Sequence, residues 1–191
     1  MTLTAGSFML NKNGRAGEDA GMERGSVHLY WGEGKGKTTA AVGLAVRALG
    51  CGLRVTVVQF LKNGESSELE PLRKLGARVY SGSAGTKFVF QMTPEERADT
   101  AARQTAQLAR ALAEPCDVLV LDEACAAWQL NMADRALLQK TVLERPAGRE
   151  TVLTGREPAD WMREAADYST EMRCHKHPYQ QGAAARKGVE F

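Results

Sequence analysis

The sequence predicts a three-layer α/β fold with a mostly parallel central sheet, and three observations lead there. Short apolar, β-branched runs such as RVTVVQF (54–60) and CDVLVL (116–121) read as strands buried on both faces. Helical patterns alternate with these runs along the chain, the order expected when helices cover both faces of a parallel sheet. The most unusual turns, after Trp31, Leu121 and Leu153, all follow strands, and ligands of such sheets gather at the carboxyl ends of strands.

The first expected strand, Val27 to Trp31, runs straight into glycines. Lys37 to Leu49 (KTTAAVGLAVRAL) has the alanines and apolar spacing of a buried helix, stopped by Gly50. Arg54 to Phe60 then completes a βαβ unit. Glu65 to Leu75 carries partial helical spacing interrupted at Pro71, Arg78 to Tyr80 suits a short strand, and Ser81 to Thr86 (SGSAGT) is loop. Thr93 as N-cap, Pro94 at the first helical position and Glu96 three residues after the cap form a capping box, so a helix runs from there to about Ala113. Cys116 to Leu121 is the third buried strand and ends in Asp122-Glu123. A helix over Asp134 to Leu143, a strand from Glu150 to Leu153 leading into Thr154-Gly155-Arg156, a helix around Ala159 to Ala166 and a last strand from Ser169 to Arg173 complete the pattern.

The chain of 191 residues suits one core, assigned to residues 22–191, after a stretch (1–21) rich in Gly, Asn and charge that reads as a flexible extension. Hydrophobic residues at 43% and charged residues at 25% argue against wholesale disorder, and a net charge of +2 gives no ground for a nucleic-acid partner. No apolar run approaches the ~18 residues of a membrane span. The N-terminus also lacks a charged start followed by an apolar segment, so the expectation is a cytoplasmic protein without a membrane partner. Cys51, Cys116, Cys125 and Cys174 are widely spaced with no C-x-x-C pair and read as reduced thiols. Cys174, His175 and His177, as neighbours on a strand, would point to alternating faces, which argues against a metal site.

The stretch GEGKGKTT from Gly32 to Thr39 has the chemistry of a phosphate cradle. Phosphate needs backbone N–H groups aimed at one point, hence glycine where a side chain would block approach, and gains from a helix N-terminus behind. Gly32, Gly34 and Gly36 meet the first need and the helix at Lys37 the second; Glu33, Lys35 and Thr39 complete the ATP-binding segment. Lys37 is placed to reach the outer phosphate oxygens and Thr38 to offer its hydroxyl to Mg²⁺. The match to G-x-x-x-x-G-K-[ST] is a variant, because Trp31 stands where its first glycine belongs. Asp122-Glu123 after VLVL resembles the strand-end motif whose carboxylate holds Mg²⁺ directly or through water, the alternative being a helix cap, and Arg156 suits a phosphate, a neighbouring subunit or a structural salt bridge. The fold class sharpens to a RecA-like P-loop NTPase fold.

Three uses of ATP stay open on these residues. One is hydrolysis in a RecA-like ATPase, with Glu123 orienting water. A second is a small-molecule kinase, which wants lid arginines where the segment Ser81 to Gln91 offers only Lys87. The third is transfer of the adenosyl group, with Lys37, Mg²⁺ and the loop amides stabilising a departing triphosphate. A flat apolar co-substrate would then need an aromatic face, and Phe88 and Phe90 at period-two spacing would project together from one face of a strand, unless they serve as core.

The chain resembles the P-loop ATP:corrinoid adenosyltransferases, cob(I)yrinic acid a,c-diamide or cob(I)alamin adenosyltransferases, from Glu23 to Phe191. The carriers are GEGKGKTTAA (32–41), VVQFLK (57–62), KFVFQMTPEER (87–97), VLVLDEA (118–124), VLTGREP (152–158), ADYSTEM (166–172) and the ending KHPYQQGAAARKGVEF from Lys176. The resemblance implies that a cobalt(I) corrinoid attacks the 5′ carbon of ATP and triphosphate leaves, with ATP lying reversed in the loop relative to other P-loop enzymes. It implies Lys37, Thr38 and Thr39 on the triphosphate, and Thr38 with Glu123 organising Mg²⁺. Phe88 and Phe90 would form the corrinoid-binding pair that keeps the lower axial position of cobalt free of ligand. Relatives often carry tryptophan where Phe90 stands, and some have a long N-terminal helix of which residues 1–26 show no sign. A homodimer and a flavoprotein reductase as electron donor are further implications of the resemblance.

Overall fold

The alternation of buried strands and helices closes into a single sheet. The computed structural model describes residues 25–190; the expected N-terminal extension (1–21) and the N-terminal edge of the assigned domain lie outside them. Among the described residues six strands pair: β1 (Val27–Trp31), β2 (Val55–Gln59), β3 (Arg78–Tyr80), β4 (Val118–Asp122), β5 (Glu150–Gly155) and β6 (Tyr168–Glu171). Their order is β3-β2-β4-β5-β1-β6, and each neighbouring pair is parallel. β2 and β4 are buried at every residue, as their unbroken apolar runs require of strands covered on both faces.

Among the described residues six α-helices cover the sheet: α1 (Lys37–Gly50), α2 (Leu69–Lys74), α3 (Pro94–Leu112), α4 (Ala124–Gln129), α5 (Arg135–Leu143) and α6 (Asp160–Ala165). Side chains alternate across β2 and β4, so Val57 and Val120 join Ala41, Ala45 and Val152 in a core under α1. Val58, Leu119 and Leu121 join Leu108, Leu138 and Met162 in the core on the opposite face. Ala41, Ala45 and Ala48 recur on one stripe of α1, and their small side chains let the helix lie close across β1, β4 and β5. That approach fixes where the N-terminus of α1 emerges, at the carboxyl ends of those strands.

The expected capping box is present: Thr93 Oγ1 accepts from the Glu96 N–H at 3.2 Å, and a Glu96 carboxylate oxygen accepts from the Thr93 N–H at 2.9 Å. Three expectations need correction. The segment Ala124–Gln129, for which the sequence suggested no element, is a helix. The last strand is Tyr168–Glu171, exposed at all four residues because it is an edge strand paired only to β1. Cys174, His175 and His177 therefore follow the strand, and the alternating-face argument does not apply to them. Among the described residues no group of three His, Cys, Asp or Glu gathers to hold a metal, the four cysteines are free, and no helix is long and apolar enough to cross a membrane.

Candidate active site

Parallel register places every loop of interest at one edge: Trp31 lies opposite Gly155, and Gln59 opposite Asp122. From Trp31 the chain enters the glycine loop. Trp31 itself serves β1, its indole N–H donating to Ser169 Oγ at 3.1 Å and its ring lying 4.0 Å from the Arg163 guanidinium, so the loop proper begins at Gly32. The N–H groups of Gly32 and Gly34 donate to the carbonyls of Arg156 (3.0 Å) and Met172 (2.6 Å), tying the loop to the chain beyond β5 and β6. Glycine is required at both special points. A Cβ on residue 34 would sit 2.7 Å from the Met172 carbonyl, and Gly36 has φ of 116° just before α1. Beyond it, the first N–H groups of α1 have no intrahelical acceptor and suit an anion.

Lys37 Nζ donates to the carbonyl oxygens of Gly32 (2.7 Å) and Gly34 (2.8 Å), and burial lowers its pKa. Thr38 Oγ1 donates to Asp122 Oδ1 at 2.8 Å, joining the loop to the end of β4. The same oxygen accepts from Thr154 Oγ1 at 2.7 Å, and Thr154 Oγ1 in turn accepts from the Glu123 N–H at 2.9 Å. Glu123 has φ of 59°, an uncommon conformation for a non-glycine residue, held here by that bond and the start of α4. Burial raises the pKa of Asp122 and of Glu123, and for Glu123 the neighbouring Asp122 charge adds to the rise. Thr38, Asp122 and Glu123 offer oxygen donors only, and two carboxylates disfavoured as charges by their surroundings are relieved by a cation, so the set fits Mg²⁺.

Arg156 and Glu33, both expected at ATP, pair with each other at 2.8 Å on the surface. Lys35 Nζ donates to the Val189 carbonyl at 2.8 Å, so the segment around Val189 lies over the loop. The resulting cleft, about 470 Å³, is lined by Lys35–Thr39 and Glu123, and also by Lys62, Glu68 and Gly188–Glu190. Sequence reading assigned no role to this second group. Lys62 closes the run VVQFLK at the carboxyl end of β2, a position that only the sheet order marks as facing the loop; it lowers the pKa of both Asp122 and Glu123 against the effect of burial.

Phe88 and Phe90 correct another expectation. They are not on a strand: Val89–Gln91 is a single 3₁₀ turn. Nor are they core, being 68% and 82% exposed, yet their rings stack on each other, centroids 5.5 Å apart and 8° from parallel. They line an apolar cleft of about 300 Å³ with Leu61, Val89, Met92 and Leu130. Leu61 and Lys62 are consecutive, so the aromatic cleft and the phosphate cleft share one short segment.

A parallel sheet with this loop, its lysine and threonine, and a carboxylate pair at the end of a neighbouring strand defines a nucleotide-binding protein of the P-loop class. Within that class, residues 23–191 match the model of the family ATP:corrinoid adenosyltransferase BtuR/CobO/CobP, and the chain belongs to that family. It is 37% identical over 175 residues to a corrinoid adenosyltransferase of Pseudomonas aeruginosa, covering 88% of this chain and 85% of that one. It is 35% identical to corrinoid adenosyltransferases of Escherichia coli K12 and, as the corrinoid adenosyltransferase CobA, of Salmonella typhimurium, in each case over 88% of this chain and 87% of the relative.

Proposed function

We propose that the protein transfers the 5′-deoxyadenosyl group of ATP to the cobalt(I) of a corrinoid, cobyrinic acid a,c-diamide or cobalamin, with triphosphate as the leaving group. The observation that carries this reading is the pair of clefts joined at Leu61-Lys62, one lined by phosphate-binding chemistry and one by a stacked, exposed aromatic pair. An ATPase or a small-molecule kinase would leave that aromatic pair in water without a role, at a cost in exposed apolar surface.

In this reading the cobalt electron pair forms the bond to the 5′ carbon while the carbon–oxygen bond breaks toward the triphosphate. Lys37 exchanges its two carbonyl acceptors for phosphate oxygens, whose negative charge makes them the stronger acceptors for its ammonium group. The first N–H groups of α1, with Thr39 and Lys35, take the remaining negative charge. Arg156, released from Glu33, adds a further cation at the loop. Thr38, Asp122 and Glu123 would hold Mg²⁺, which would supply charge neutralisation on the leaving triphosphate. Phe88 and Phe90 cover the lower face of the corrinoid and exclude water or a base from the lower axial position. In this reading the enzyme works in the cytoplasm and, by family resemblance, as a homodimer supplied with electrons by a flavoprotein reductase.

The aromatic assignment is tested with Phe88→Ala and Phe90→Ala under two regimes. With cob(II)alamin and a mild reductant, product formation should fall roughly tenfold or more, the effect of losing about 1.4 kcal/mol of transition-state stabilisation. With pre-reduced cob(I)alamin the rate should stay near that of the unchanged protein. Equal losses in both regimes would remove the axial-ligand role from these rings.

A further inference from the structure

The two clefts are connected through the interior by Gln59, the last residue of β2, which is 1% exposed. Its side-chain amide nitrogen donates to Glu68 Oε1 (2.8 Å), on the wall of the phosphate cleft, and to Asp122 Oδ2 (3.3 Å), the oxygen opposite the one that Thr38 holds. Its side-chain oxygen accepts from Ser81 Oγ at 3.0 Å. Ser81 is the first residue of the loop that leads from β3 to Phe88 and Phe90. A single planar amide thus has its donor end in the nucleotide site and its acceptor end on the aromatic loop.

The surrounding bonds leave that amide little freedom. The Gln59 main-chain carbonyl accepts from Gln107 Nε2 (3.0 Å), and Gln107 Oε1 accepts in turn from Ser83 Oγ on the same loop. Phe60 N–H donates to the Asp122 carbonyl (3.0 Å), and Leu61 N–H to Gln104 Oε1 (2.7 Å). Leu61 is held at φ of 56°, uncommon for a leucine, at the point where the clefts meet. The Gln59 side chain is paired at its oxygen and at both N–H groups, and turning it would leave a polar atom unpaired in a dry interior.

We infer that Gln59 is a positioning residue that couples nucleotide binding to the corrinoid cleft through Ser81. The inference rests on the functional reading above. Without a cation the charges of Asp122 and Glu68 repel across the Gln59 amide nitrogen that both accept from; met from the nucleotide side, they let that donor end settle, its oxygen stays aimed at Ser81, and the loop that presents Phe88 and Phe90 is held in place. Coupling is reciprocal, so a bound corrinoid strengthens nucleotide binding by the same factor.

The test is the affinity for cob(II)alamin by equilibrium dialysis, without reductant, with and without saturating Mg-ATP. The unchanged protein should bind cob(II)alamin about tenfold more tightly with Mg-ATP, within the usual range of such couplings. Ser81→Ala, at a half-buried loop position, should keep the nucleotide-free affinity and lose the gain; Ser81→Thr, which retains the hydroxyl, should preserve it. Gln59→Met should behave as Ser81→Ala, and if it fails to fold the serine variants still decide. An undiminished gain in Ser81→Ala, or no gain in the unchanged protein, overturns the inference. Adding reductant to the same samples scores the adenosylated product, so a failure of the functional reading registers separately from a failure of the coupling.

Discussion

Asp122 and Glu123 are adjacent in sequence but do different work. Asp122 accepts from Thr38 and Thr154 at one oxygen and from Gln59 at the other, which ties the loop to the sheet and leaves the second oxygen a lone pair for a cation, whereas Glu123 lines the cleft. Burial and the Asp122 charge raise the pKa of Glu123, so the folded protein holds its proton more readily than the unfolded chain. Stability therefore declines as pH rises from the ordinary glutamate value of about 4.3 through the raised one. Without Mg²⁺, Glu123→Gln should melt at a higher temperature than the unchanged protein at pH 8, and the difference should shrink toward pH 4.5; a difference that grows on acidification would contradict the electrostatics. Lys37, Thr38, Asp122 and Glu123 were legible in the sequence because loop and strand-end motifs state their chemistry at fixed spacing. Gln59 and Lys62 were not, since a glutamine or lysine at a strand end carries no signal until the sheet order shows what it faces.

Elements were legible where local chemistry specifies them. The capping box at Thr93 and Glu96 announces α3 by itself, and Lys87, ion-paired with Glu96, ties the aromatic turn to that same cap. Thr93→Ala should cost about 1 kcal/mol of stability, the usual value of such a cap, as read from urea unfolding; no loss would mean that α3 is positioned by packing alone. The aromatic turn misled because two residues two apart look the same in a strand and in a three-residue 3₁₀ turn, and a segment that short leaves no period to tell them apart. The helix Ala124–Gln129 went unseen for a related reason: its alanines and cysteine are too small to print an apolar stripe, though Ala124, Cys125 and Ala127 are buried. The edge strand β6 was displaced because a strand paired on one side and exposed lacks the continuous apolar run that marked β2 and β4.

At the scale of the whole molecule, the order β3-β2-β4-β5-β1-β6 makes one site from segments far apart in sequence. The glycine loop after β1, Lys62 and Glu68 after β2, Glu123 after β4 and the segment Gly188–Glu190 all line the phosphate cleft, and the aromatic cleft opens one residue away. The strand and helix alternation foretold that edge, but the meeting of the two clefts depends on long-range register and could only be seen in three dimensions. The central claim is that the nucleotide is cut at its 5′ carbon, with the three phosphates leaving as one unit. Phosphorus analysis of an anaerobic reaction with Mg-ATP and cob(I)alamin tests it most directly. One intact triphosphate per photolabile alkylcorrinoid is the predicted result; orthophosphate or diphosphate released with no change in the corrinoid spectrum would contradict it.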